Sequence, residues 1–196
     1  MRLTLDDIAD LRAYEREREE FRARIIELKK RRRVAVGPLI TFVFENRDTV
    51  RFQIQEMARA ERMLTDAAIQ NELDTYNPLI PAAGELSATM FLELRSEADL
   101  REWLPKLVGV ERAVELRVGD RVVSGALDPQ HAEQLTREDT TASVHYLHFS
   151  LSDNEIDDFL HDPVVLAVNH PSYDHATALT GPTLAELAAD LRPPHP

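Results

Sequence analysis

Five side chains able to grip an anion stand in one short stretch: Arg47, Arg51, Gln55, Arg59 and Arg62. Intervals of four, four and three place Arg51, Gln55, Arg59 and Arg62 along one face of a helix, with Arg47 at the strand end just before it. A guanidinium fork binds carboxylate or phosphate through two parallel hydrogen bonds, so a row of forks is an anion clamp. Three carboxylates, Glu45, Glu56 and Glu61, lie close by in sequence. In helical projection Glu61 falls between Val50 and Ile54, inside the apolar stripe. A carboxylate in that position must be paired, hydrogen-bonded, neutral or bound to a metal. The arginines could therefore hold a small anion or the acidic surface of a partner. Alternatively, Glu56 or Glu61 could act as general base while the arginines clamp an anionic substrate. The competing structural role is an ion-pair network that ties this helix to the preceding one.

Histidine supplies a second kind of site. His170 and His175 bracket Asp174, and a loop could bring the three together as ligands for zinc or iron. Their spacing follows no established template, and loop histidines more often simply face solvent. His145 and His148 are three apart in a strand pattern, which sends them to opposite faces and prevents them from sharing one metal. Glu56 and Arg59 have the spacing of the Glu-x-x-His motif of carboxylate-bridged di-iron bundles. Arginine stays protonated and cannot ligate a metal. No serine sits in a Gly-x-Ser-x-Gly elbow, and no His-Glu-x-x-His occurs.

Several elements must position these groups. Residues 5–31 read as a long amphipathic helix, with Ile8, Leu11, Tyr14, Phe21, Ile25 and Leu28 on one face. Such a stripe could pack on a sheet or pair with a second copy of the chain as a homodimer. The basic run from Lys29 to Arg33 closes that helix with charge that suits its C-terminal dipole. Residues 34–44 read as a strand apolar on both faces, hence central in a sheet, with Gly37-Pro38 either starting its main part or bulging it. Residues 49–64 form the arginine-bearing helix, capped by Asn46 or Asp48. Residues 66–76 form a further helix, stopped at Asn77-Pro78. Asn77 joins the arginines as a candidate ligand-binding residue, and residues 77–85 are the best internal boundary of an otherwise single domain.

The C-terminal half continues with a strand at 86–94 and a helix at 98–108 carrying Trp103 and Pro105. A hairpin around Gly119-Asp120 and a surface connection at 128–141 follow. A strand at 142–151, a short helix at 154–161, a strand at 164–168, an irregular loop at 169–182 and a final helix from residue 183 complete the chain. The last five residues should fray. The expected architecture is α+β: a mainly antiparallel sheet of five or six strands with packed helices and a long N-terminal helix. No strand, glycine-rich turn and helix occur in the order of a dinucleotide or phosphate-binding loop.

The 196 residues suffice for a sizeable core, and a net charge of −12 argues against nucleic-acid binding. There is no cysteine, which excludes disulfides, thiolate catalysis and cysteine-held zinc or iron–sulfur sites. The longest apolar run is too short to span a membrane and the N-terminus turns acidic at once, so a cytoplasmic location is expected.

The segments Leu28-Lys29-Lys30-Arg31-Arg32-Arg33-Val34-Ala35-Val36-Gly37-Pro38 and Phe44-Glu45-Asn46-Arg47-Asp48-Thr49-Val50-Arg51 resemble a bacterial family. It is catalogued as domain of unknown function thirty-five-oh-one. Gln53-Ile54-Gln55-Glu56-Met57 and Tyr76-Asn77-Pro78-Leu79-Ile80-Pro81 carry the likeness further, and it extends over nearly the whole chain. The family is often encoded beside rubrerythrin-like and iron–sulfur oxidoreductase proteins. The resemblance thus implies an accessory role in a redox or oxidative-stress setting, with a protein partner from that setting. It supplies no catalytic residues. The expectation is a binding protein for a partner or small anion, with no cofactor. An acid–base enzyme or a His/Asp metal protein is the alternative.

Overall fold

The structure, a computed structural model, describes residues 2–127 and 140–191. The chain opens with a single 3-10 turn, Leu5–Asp7, and the long helix α1 begins only at Leu11 and runs to Arg32. The expected start at residue 5 fails because the Asp10 carboxylate accepts from the backbone N–H of Arg12 and Ala13, both at 2.9 Å. That cap satisfies the first free donors of a helix and sets its origin there. The stripe of α1 is used within its own chain: Tyr14, Phe21 and Ile25 are buried against Phe52 of the next helix. Phe21 and Phe52 meet edge to face at 5.6 Å.

Residues 33–45 are two strands rather than one. Strand β1 (Arg33–Val36) and strand β2 (Ile40–Glu45) form an antiparallel hairpin around Gly37, whose φ of 68° only glycine adopts readily. Helix α2 (Arg47–Ala60) follows, capped by the Asn46 side chain, and then helix α3 (Asp66–Tyr76). A 3-10 turn at Asn77–Leu79 leads into strand β3 (Glu85–Leu92). Helix α4 (Glu97–Lys106) precedes strands β4 (Val114–Val118) and β5 (Arg121–Ser124), which turn at Gly119 as expected.

Next come strand β6 (Ala126–Leu127), strand β7 (Val144–Ser150) and helix α5 (Asp153–His161). Strands β8 (Val164–His170) and β9 (Tyr173–Leu179) then form a tight hairpin, and helix α6 (Gly181–Leu191) closes the described chain. The loop expected over 169–182 is thus mostly strand β9. Its exposed, polar positions hide the alternation on which a strand reading depends. Most of the connection expected at 128–141 lies outside the described residues.

The α+β expectation holds, with the antiparallel strands divided between two sheets. One has the order β1-β2-β3-β7-β6 and the other β5-β4-β8-β9. Their facing sides form one core, where Phe42, Phe44, Met90 and Phe149 meet Leu116, Val118, Leu166 and Val168. Alternation sends Val43, Glu45, Thr89 and Tyr146 to the other side of the first sheet, under α1 and α2. This explains why β2 is apolar on both faces: it is second in its sheet and covered by a sheet on one side and helices on the other. Helix α6 packs against α1 and β3 and contributes Leu187 and Leu191 to the main core. Among the described residues no helix is long and apolar enough to cross a membrane.

Candidate functional site

The arginine row of α2 faces α1 and the N-terminal segment. Arg47 reaches Asp7 at 2.5 Å. Arg51 donates to the Asp7 carbonyl at 2.8 Å and to Glu17 at 3.3 Å, and its guanidinium lies 5.0 Å from the Phe21 ring centre. Arg59 meets Glu15 at 2.5 Å. Between them Gln55 is fully buried. Its Oε1 accepts from the Ala9 N–H at 2.7 Å and its Nε2 donates to the Ala9 carbonyl at 3.2 Å. Asn77 holds Leu3 in the same way, at 2.8 and 2.9 Å. Two amides thus pin the N-terminal segment, each matching one backbone donor and one acceptor. The side of α2 opposite its apolar stripe is therefore an interface between helices, and its charges meet the acidic residues of α1.

Glu56 is the centre of this network. It accepts both forks of Arg18 at 2.8 Å and the Tyr14 hydroxyl at 2.6 Å. The Arg18 hydrogen bonds hold its carboxyl below the ordinary range, against partial burial. Tyr14 is pushed up, chiefly by burial and then by Glu56. Asp7 is also lowered, first by the Thr4 backbone N–H and then by Arg47. A carboxyl with a depressed folded pKa binds fewer protons than in the unfolded chain. Its stabilisation is complete above the unfolded value of about 4 and is lost as pH falls through the folded one. The melting temperature should accordingly fall between pH 5 and pH 2, and Glu56→Gln should show a shallower fall. Equal slopes in thermal melts of the two proteins would remove Glu56 from this role.

Glu61 does not enter the apolar stripe. Helix α2 ends at Ala60, Glu61 caps it, and its side chain is exposed. The projection that placed it inward assumed four further helical residues. Arg62 instead takes a φ of 54° and turns the chain. Leu64, the last residue of the expected helix, is 83% exposed.

The histidine candidates do not converge. Asp174 and His175 are successive residues of β9 and point to opposite faces. His170 ends β8 and is engaged by backbone: the Ser172 N–H donates to its Nδ1 at 3.2 Å. That leaves Nε2 protonated to donate to the Val108 carbonyl at 3.1 Å. Among the described residues no group of three or more His, Asp or Glu side chains is placed to hold a metal. His145 faces the core and His148 the opposite side, as alternation requires. Burial lowers the His145 pKa.

A different arrangement lies behind the network, between α2 and the outward face of the five-stranded sheet. A cavity of about 200 Å³ is floored there by Val43, Glu45, Thr89, Phe91, Val144 and Tyr146. Thr49, Val50 and Gln53 of α2 roof it, and Tyr76 and Leu79 form a wall. Lys29 from the last turn of α1 and Arg33 from β1 complete the lining. The Glu45 carboxylate accepts the Thr49 hydroxyl at 2.5 Å and the Thr89 hydroxyl at 2.7 Å, one on each oxygen. Burial raises the Tyr146 pKa, and the nearby Tyr76 and Glu45 raise it further. Arg33 is paired with Glu93 at 3.1 Å.

Glu45 enters the sequence reading only as a neighbour of the arginines. Alternation along β2, which puts Val43 and Glu45 on one side, was the available signal. The strands that supply Thr89 and Tyr146 are distant in sequence, and their register with β2 is a tertiary fact.

The family model described as "Protein of unknown function (DUF3501)" matches residues 2–191. The crystal structure of a novel protein of unknown function from Burkholderia pseudomallei K96243 is similar throughout, with a TM-score of 0.90 and 36% sequence identity. The similarity covers 98% of this chain and 100% of that one. No curated protein matches the sequence. The likeness read from the basic run, the strand that follows it and the arginine-bearing helix is thereby established, and the chain belongs to the DUF3501 family.

Proposed function

We propose that this protein is a binding module for a small organic molecule and that its site is the cavity between α2 and the five-stranded sheet. The observation that carries this reading is the contrast between two polar groupings. The cations at positions 47, 51 and 59 of the arginine row are spent on Asp7, Glu17 and Glu15. The cavity instead combines an apolar lining with a few convergent polar groups, the usual composition of a small-ligand site. Its lining comes from four strands and three α-helices, so it is preformed on rigid elements. The redox setting implied by the resemblance enters as context. Without cysteine the chain has no thiol chemistry to offer, and its role there is to hold a molecule for a partner.

Thermal-shift screening of a small-metabolite panel tests this against a variant with the cavity filled, Val144→Trp. At least one compound should stabilise the wild-type protein and fail to stabilise the variant. Arg51→Ala and Arg59→Ala should bind that compound normally. Binding that survives the tryptophan and disappears with either alanine would return the site to the arginine row.

A further inference from the structure

The cavity holds one charge of each sign that the fold leaves uncommitted. Among the described residues the Glu45 carboxyl group has no ion-pair partner, and it accepts two neutral hydroxyls, those of Thr49 and Thr89. Both threonines are buried, so the carboxylate is held in one place by groups that cannot move away. Each carboxylate oxygen retains acceptor capacity beyond its one hydroxyl. Arg32 donates to the Glu45 backbone carbonyl rather than to the carboxylate.

Lys29 lines the same cavity. Its ammonium lies 5.9 Å from the Phe52 ring centre, and among the described residues it has no carboxylate partner. This is unusual for its surroundings, because Lys30, Arg31, Arg32 and Arg33 all reach carboxylates. Val43, Val50 and the aromatic side chains of Tyr76, Phe91 and Tyr146 line the same cavity. Aromatic faces attract ammonium groups, and the effect strengthens where water is displaced. Coulomb attraction also grows in such a partly enclosed, apolar space.

The strand register sets the direction of the site. Arg33 stands opposite Val43, and Glu45 lies two residues further along β2. Two residues of strand span roughly 7 Å. The register thus offsets Arg33, four residues after Lys29 in the chain, from Glu45 along the floor. A molecule with one charge would satisfy one end and leave the other charge beside apolar surface.

From this, and resting on the cavity as the binding site, we infer that the ligand is a small zwitterion: an amino acid whose amine and carboxylate are separated by a short chain. The amine sits at Glu45 against the aromatic rings, and the acid sits at Lys29.

Isothermal titration of the purified full chain with 5-aminopentanoate, pentylamine and pentanoate tests the assignment. The expected result is that 5-aminopentanoate binds at least tenfold more tightly than either singly charged analogue. Glu45→Gln and Lys29→Met should each weaken it at least tenfold, with Lys29→Met leaving the melting temperature unchanged because that side chain makes no ion pair. Should pentylamine or pentanoate bind as tightly as 5-aminopentanoate, the zwitterion assignment is overturned. The cavity reading then survives if Val144→Trp abolishes that binding. Binding of 5-aminopentanoate unaffected by Lys29→Met, or no binding of any of the three, also overturns the assignment. The metabolite panel then decides the cavity on its own.

Discussion

Arg32→Ala should be the most damaging single substitution in the basic run, lowering stability by about 3 to 5 kcal/mol. The Arg32 side chain is entirely buried. Its Nε donates to the Phe44 carbonyl at 2.8 Å and its Nη2 to the Glu45 carbonyl at 3.1 Å. Its Nη1 reaches Glu186 at 3.3 Å, and Asp190 accepts from Nη2. One planar fork thus joins the end of α1, the end of β2 and helix α6. Alanine would strand two carbonyls and the Asp190 carboxylate, while Glu186 would keep Arg31. Asp190 is already pushed up by burial, and Arg32 is what favours its charged form. Breaking a buried pair from one side costs more than the pair contributes, because the remaining charge has lost its partner. Lysine should rescue only part of the loss, since one ammonium cannot span four acceptors in a fork. The neighbour is the control: Arg31 also meets Glu186 but is largely solvated, so Arg31→Ala should cost less than about 1 kcal/mol. Urea unfolding of the three variants measures this, and equal losses for Arg31→Ala and Arg32→Ala would contradict it.

Gly37→Ala is expected to cost about 3 kcal/mol or more, from two sources that add. The backbone at Gly37 has a φ of 68°, where a side chain is strained in any surroundings. A β-carbon would also come within 2.5 Å of the His175 ring and of the Tyr173 hydroxyl. The Tyr173 hydroxyl is not free to retreat. The Tyr173 hydroxyl donates to the Val36 carbonyl at 2.7 Å and accepts from the N–H of Leu39 and Ile40 at 2.9 and 3.2 Å. Its ring is in turn packed on His175 at 4.5 Å. This contact closes the hairpin of the first sheet onto the outer strand of the second. Pro38→Ala, one residue on, should change the melting temperature little. A Gly37→Ala protein that melts with the wild type would show that the hairpin and β9 are not in close contact.

Much of this molecule was legible in its residue pattern, for reasons that are local. The helices of residues 47–60, 66–76 and 97–106 announce themselves by caps and by 3.6-residue spacing, both of which act within a few residues. The Gly119 turn and the alternation of β3 are local in the same sense. So was the likeness to the DUF3501 family, carried by contiguous segments. The α+β class followed from those elements.

What the pattern could not decide was which partner each polar side chain would meet. The run from Lys29 to Arg33 reads as one uniform basic tail. Folded, it divides four ways: Lys29 lines a cavity, Arg31 is solvated, Arg32 is buried among backbone carbonyls and carboxylates, and Arg33 pairs with Glu93. Charge type is written in a residue, but the environment that makes the charge a strut, a surface group or a ligand anchor comes from elements far away in the chain. The arginine row illustrates the same point, since its anions proved to be Asp7, Glu15 and Glu17 of its own N-terminal region. Helical periodicity placed those arginines on one face. Only the docking of α1 across that face, driven by burial of Tyr14, Phe21 and Ile25, determined what the face would touch.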